Sequence, residues 1–121
     1  MSTNNPFRNF KTRIHNSVVV SGNLGNDPFR LNLKDGSTIA RVLLAQHEYR
    51  NGEKLLYWFH IILHDELAEQ ALEVLRKGQR AGFSGKLVSR QYYTETNKMI
   101  TIMEVEAHEF WLETKLSKLA S

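Results

Sequence analysis

The chain has no cysteine. Disulfides, thiolate metal sites and cysteine nucleophiles are therefore excluded, and a reducing compartment is the simpler home. No apolar run approaches the roughly 20 residues needed to cross a bilayer as a helix, so no membrane partner is expected. The opening MSTNNPFRNFKTR lacks the apolar stretch of a secretory signal. There is no phosphate-binding P-loop, no Gly-rich dinucleotide fingerprint and no GxSxG nucleophile elbow. No internal repeat or low-complexity tract breaks the chain. Acidic residues are missing altogether from the first 26 positions, where Arg8, Lys11 and Arg13 give +3.

What remains is a chain of 121 residues with 41% hydrophobic and 24% charged residues. That is one small core and too much apolar material for disorder. The net charge of +3 is uneven: residues 27–103 carry +2, whereas 104–121 carry −2. Such a modest basic excess suits a polyanion without requiring one.

Three regions follow from the texture. Residues 1–15 read as a polar, basic arm, 16–112 as the folded domain, and 113–121 as a short extension. Within the domain, SVVVSGNLG is β-branched and ends in turn residues. FRLNL (29–33) alternates and is followed by the turn Lys34-Asp35-Gly36. Thr38–Ala45 and Leu55–Leu63 read as strands flanking a polar loop, 46–54, with Asn51-Gly52 as its turn. Asp65–Lys77 carries the one helical stripe, through Leu67, Ala68, Ala71, Leu72 and Leu75. Asp65 is its expected cap, Arg76 and Lys77 its basic last turn, and Gly78 its stop. Arg80–Tyr93 and Met99–Leu112 return to strand. Three strand regions, a helix and two more strand regions are the order of an all-β OB-fold, a five-stranded Greek-key barrel with its helix between strands three and four.

Side chains alternate across a strand. In Tyr57–His64 the odd positions, Tyr57, Phe59, Ile61 and Leu63, suit a core. The even positions are Trp58, His60, Ile62 and His64, which present flat rings where a solvated face would carry charge. In Arg80–Thr94 the odd residues Ala81, Phe83 and Leu87 face inward. Arg80, Ser84, Lys86, Arg90 and Tyr92 share the other face, with no acid on that strand beside them. Loop 46–54 adds His47, Tyr49, Arg50 and Lys54, and a second loop over 89–98 brings Arg90, Tyr92, Tyr93 and Lys98. Cations hold a phosphate track, and aromatic rings stack on unpaired bases of any sequence at about 1–3 kcal/mol each.

A metal site is not expected. His60 and His64 have the i, i+4 spacing that shares zinc on a helix. On a strand that spacing spans about 13 Å, and YWFHIIL is strand-like. No cofactor and no catalytic chemistry are anticipated.

Taken together, NSVVVSGNLGNDP (16–28), STIARVLLA (37–45), YWFHIILHDELAE (57–69), VLRKG (74–78) and FSGKLVSRQYY (83–93) resemble the bacterial-type single-stranded DNA-binding proteins. The resemblance covers about residues 16–112. It implies an OB barrel, sequence-tolerant binding of single-stranded DNA in replication, recombination or repair, no enzymatic activity, and a homo-oligomer, dimer or tetramer. A cytoplasmic, nucleoid-associated or organellar location would go with it. It places Trp58, His64 and Tyr92 at base-stacking positions, with Tyr49 close to a fourth. Arg30, Arg50, Lys54, His60, Lys86 and Arg90 complete the candidate binding residues. Departures from the family pattern are His60 in place of a cation, His64 in place of a phenylalanine, and Glu66 where a lysine is common. The family usually ends in a long tail with an acidic tip that recruits replication and repair proteins, and this sequence stops at KLSKLAS. An alternative is a tailless module resembling primosomal replication protein N or a mobile-element accessory protein, acting mainly through protein partners.

Overall fold

The computed structural model describes residues 15–113. The basic arm expected over 1–15 lies outside the described residues except for His15, as does the extension beyond Glu113. The elements are β1 (Val18–Leu24), β2 (Phe29–Asn32), β3 (Thr38–Arg50), β4 (Glu53–His64), α1 (Asp65–Val74), β5 (Arg80–Tyr93) and β6 (Met99–Leu112). The sheet runs β1-β5-β6-β4-β3-β2, and β1 also pairs with β3. That extra pairing, Asn23 with Ala45 and Leu24 with Leu44, closes five strands into a barrel. Closure reduces the open edges that would template association. The fold is that of an OB barrel. The short β2 stands outside the ring as a hairpin on β3, so the helix follows the fourth strand in chain order rather than the third.

The core has one alternating face from each strand: Val20 and Leu24, Ala40, Val42 and Leu44, Ile61 and Leu63, Ala81 and Phe83, and Val105 and Ala107. Ala68, Ala71 and Leu75 bring α1 into the same cluster. The helix thus closes the barrel with small residues that allow close approach.

Several local expectations are corrected. The polar loop expected over 46–54 is paired almost throughout. β3 and β4 zip from Gln46 opposite Tyr57 to Arg50 opposite Glu53, leaving only Asn51 (φ 53°) and Gly52 (φ 80°) as the turn. Two successive positive φ values make a turn whose twist matches the flanking strands, so the ladder runs to its tip. The segment 89–98 behaves alike, with β5 paired to β6 as far as Tyr93 opposite Met99. α1 stops at Val74, short of Lys77. The amides of Arg76 and Lys77 go instead to the side chains of Gln79 (2.7 Å) and Asp27 (2.8 Å). Arg76 reaches back to donate to the carbonyls of Leu72 and Leu75, serving the helix C-terminus from beyond it. At the other end His64 occupies the cap position without a side-chain bond. Asp65 has φ 53° and does not act as the cap. Finally, Leu87 is 40% exposed rather than in the core. Pairing between β1 and β5 ends at Val18 opposite Gly85, so no strand covers Leu87 from that side. Tyr57 too is exposed, because its part of the hairpin projects past the barrel.

Candidate functional site

Residues paired directly across a ladder point to the same side of the sheet, so the register defines the face. On β3 and β4 the outward pairs are Tyr49–Lys54, His47–Leu56, Ala45–Trp58, Leu43–His60, Arg41–Ile62 and Ile39–His64. The parallel ladder to β6 adds Glu104 beside His60 and Glu106 beside Ile62. β5 extends it with Val88 opposite Glu104, Lys86 opposite Glu106, Arg90 opposite Ile102 and Tyr92 opposite Ile100. One face of four strands therefore gathers Tyr49, Lys54, Trp58, His60, His64, Lys86, Arg90 and Tyr92. From Lys54 to His64 it runs roughly 33 Å along β4 at 3.3 Å per residue.

Two expected residues lie elsewhere. Arg30 pairs with Ala40, a core-facing position, and its guanidinium holds Glu69 of α1 through two bonds of 2.6 and 2.8 Å. The bond from Arg30 holds the Glu69 carboxyl below the ordinary carboxylate range. Arg50 stands opposite Glu53 on the reverse of the hairpin and is bonded to Glu48 at 2.9 Å.

Trp58 is 48% exposed and Tyr49 73%. The indole rests over Gly25, where a Cβ would lie 2.6 Å from ring carbon Cζ3. A glycine there lets the ring lie down against the barrel with its outer surface open. Gly25→Ala is expected to tip the ring, shifting the Trp58 emission and near-ultraviolet circular dichroism while the far-ultraviolet spectrum stays unchanged. Unaltered Trp58 signals would show that the ring does not rest there.

At the other end of the face lies a groove of about 630 Å³, lined among others by Ile39, Arg41, Ile62, His64, Arg90 and Tyr92. Ile62, an even position of the ring-bearing face, is 3% exposed and lies beneath it. The groove is built on Glu104, which is 1% exposed. Its Oε2 accepts from Arg41 and from the Tyr92 hydroxyl, each at 2.7 Å. Arg41 donates also to the Tyr92 oxygen (2.6 Å), and its Cζ lies 5.5 Å from the centre of that ring. Arg90 Nε lies 2.7 Å from Glu104 Oε1 but without hydrogen-bond alignment, so Oε1 has a charge contact and no hydrogen bond. Burial alone would push the Glu104 carboxyl up. Hydrogen bonds from Tyr92 and Arg41, with the charges of Arg41 and Arg90, reverse that and hold it below the usual range. Burial and the bond to Glu104 push the Tyr92 phenol up.

The expectation that no acid joins the cations of β5 holds within that strand and fails on the sheet. Glu104 and Glu106 arrive on the same face from β6. Glu106 accepts from Arg90 at 3.1 Å, and Arg80 is tied to Glu113 at 2.9 Å. Tyr92 is accordingly anchored rather than free. Arg41, absent from the expected set, is a principal cation of the groove. The signal was present in the sequence: Arg41 is the lone charge in STIARVLLA, and Glu104 and Glu106 alternate with Val105 and Ala107.

A closed barrel carrying an open band of rings and cations, with a groove over a buried ion-pair cluster, defines a binding module. Comparison with known proteins places it further. Residues 15–112 match the model of the single-strand binding protein family. The chain is 32% identical over 102 residues to a single-stranded DNA-binding protein of Paenarthrobacter aurescens, covering 77% of this chain and 58% of the relative. It is 35% identical over 82 residues to one of Xanthomonas campestris, covering 64% of this chain and 48% of the relative. The matched stretch thus spans about half the length of these relatives. The chain belongs to the single-strand binding protein family.

Proposed function

We propose that this chain binds single-stranded DNA with little sequence preference, along the outward face of β3, β4, β6 and β5. The observation that carries the reading is Trp58, half open to solvent over Gly25. Tyr49 and Lys54 extend the same face on one side and His60 and His64 on the other. In this reading Trp58 and Tyr49 stack on bases, His60 and His64 offer smaller rings, and Lys54, Lys86, Arg41 and Arg90 follow phosphates. The names of the relatives support it. A role in replication, recombination or repair follows from protecting exposed strands, and no cofactor or catalysis is called for.

Titrating oligo-dT against tryptophan emission at increasing salt tests this. Emission should change on binding, and log K should fall against log[salt] with a slope of about −0.7 per phosphate contact. Unchanged emission and gel mobility at low salt would defeat the reading.

Self-association, or docking of a protein partner, accompanies this proposal for a separate reason. Leu87, Met99, Met103 and Tyr93 are all exposed, and the β5–β6 register puts them on one side of the hairpin. Sedimentation velocity should report a species heavier than one chain.

A further inference from the structure

Glu106 lies where a strand held on this face would need positive charge. Its Oε2 accepts from Arg90 at 3.1 Å and lies 3.9 Å from His64 Nε2. Lys86 is its direct neighbour on β5, Ile62 its neighbour on β4. Arg90 is shared with Glu104, which in turn holds Arg41. The two acids differ in what they do. Glu104 is sealed beneath the face, and its removal would undo Arg41 and Tyr92 together. Glu106 keeps 27% of its side chain exposed, and its hydrogen bond from Arg90 is to the outer NH2 group, while Arg90 Nε stays with Glu104. Glu106 thus occupies the donor that would otherwise reach a phosphate.

We propose that Glu106 is an affinity-setting residue that competes with the phosphodiester backbone for Arg90, so that single-stranded DNA engages this end of the face by exchanging phosphate for carboxylate. The inference rests on the binding face proposed above. A carboxylate oxygen and a phosphodiester oxygen each accept a charge-assisted bond from a guanidinium N–H, so exchanging one for the other at the outer nitrogen keeps the number of such bonds constant.

Glu106→Gln removes the competing charge at nearly constant volume. It is expected to tighten oligo-dT binding by about two- to fivefold, the scale of one partly exposed ion pair. Glu109→Gln is the control for net charge alone, since Glu109 is exposed opposite Ser84, away from Arg90 in the register. In an Arg90→Gln background the gain from Glu106→Gln should vanish, because the competed donor is gone. An equal gain from Glu109→Gln, a gain that survives Arg90→Gln, or weaker binding by a folded Glu106→Gln overturns the proposal. If Trp58→Ala still weakens binding in those cases, the face stands and only the competition is wrong. If Trp58→Ala also binds like the parent, the face itself is misplaced and the proposal falls with it.

Discussion

Replacing Trp58 by alanine should weaken binding of an unstructured DNA oligomer by about 1–3 kcal/mol, the value of one base–aromatic stack. That is roughly a 5- to 150-fold rise in Kd. The barrel should survive. Trp58 contributes no residue to the core cluster, and its neighbours on the face are Ala45 across the ladder and Gly25 beneath the ring. Truncation removes a surface, not a support. Equilibrium titration followed by anisotropy of a labelled oligomer, together with a thermal melt, checks both halves. An unchanged Kd would remove the indole from the interface, and a collapsed melting temperature would show that its burial matters more than its exposure. The loss should persist at high salt, since stacking releases no counterions. Loss of a phosphate contact such as Lys54 should instead fade as salt rises.

Glu104→Gln should cost stability. The substitution keeps the volume and an acceptor for Tyr92, but it leaves Arg41 and Arg90 facing each other across a buried neutral amide. Breaking a buried pair costs about 3–5 kcal/mol, and the lower end is expected here because both arginines retain contact with water. The pH dependence has a definite sign. The folded Glu104 carboxyl titrates below its unfolded value, so the unfolded state takes up a proton first as pH falls. The stabilisation is complete above the unfolded pKa, about 4.3, and is lost as pH descends through the folded one. Urea unfolding at pH 7 should therefore separate the parent from the variant widely. The gap should shrink in acid, where the parent carboxylate is also neutral. A gap that is constant with pH would mean that the cost comes from shape and not from charge.

Glu104 also makes the proposed binding face dependent on the fold in a direct way. The same buried carboxylate holds Arg41 against Tyr92. A folded Glu104→Gln protein should bind DNA through Trp58 and Tyr49 but with a loosened groove.

Much of this was readable along the chain because strand alternation is local. The odd–even pattern of Tyr57–His64 separated Ile61 and Leu63, which are buried, from Trp58 and His60, which are not. The apolar stripe of α1 and the Asn51-Gly52 turn were likewise written in neighbouring residues. The order of strands and helix sufficed for the barrel. What escaped was what depends on how far strands pair and on which side chains that pairing brings together. Whether 46–54 is a loop or a ladder depends on two strands accepting a tight turn and then pairing to its tip. Whether Arg90 is free depends on Glu104 and Glu106, which reach it through the pairing of β6 alongside β5. Arg30 and Arg50 look no different from Lys86 on paper, yet register turns them toward Glu69 and Glu48. Covalent neighbours fix the period of a strand and hence which side chains share a side. Only the register of the folded sheet decides which side chains become neighbours across strands, and charge pairing is a property of those neighbours.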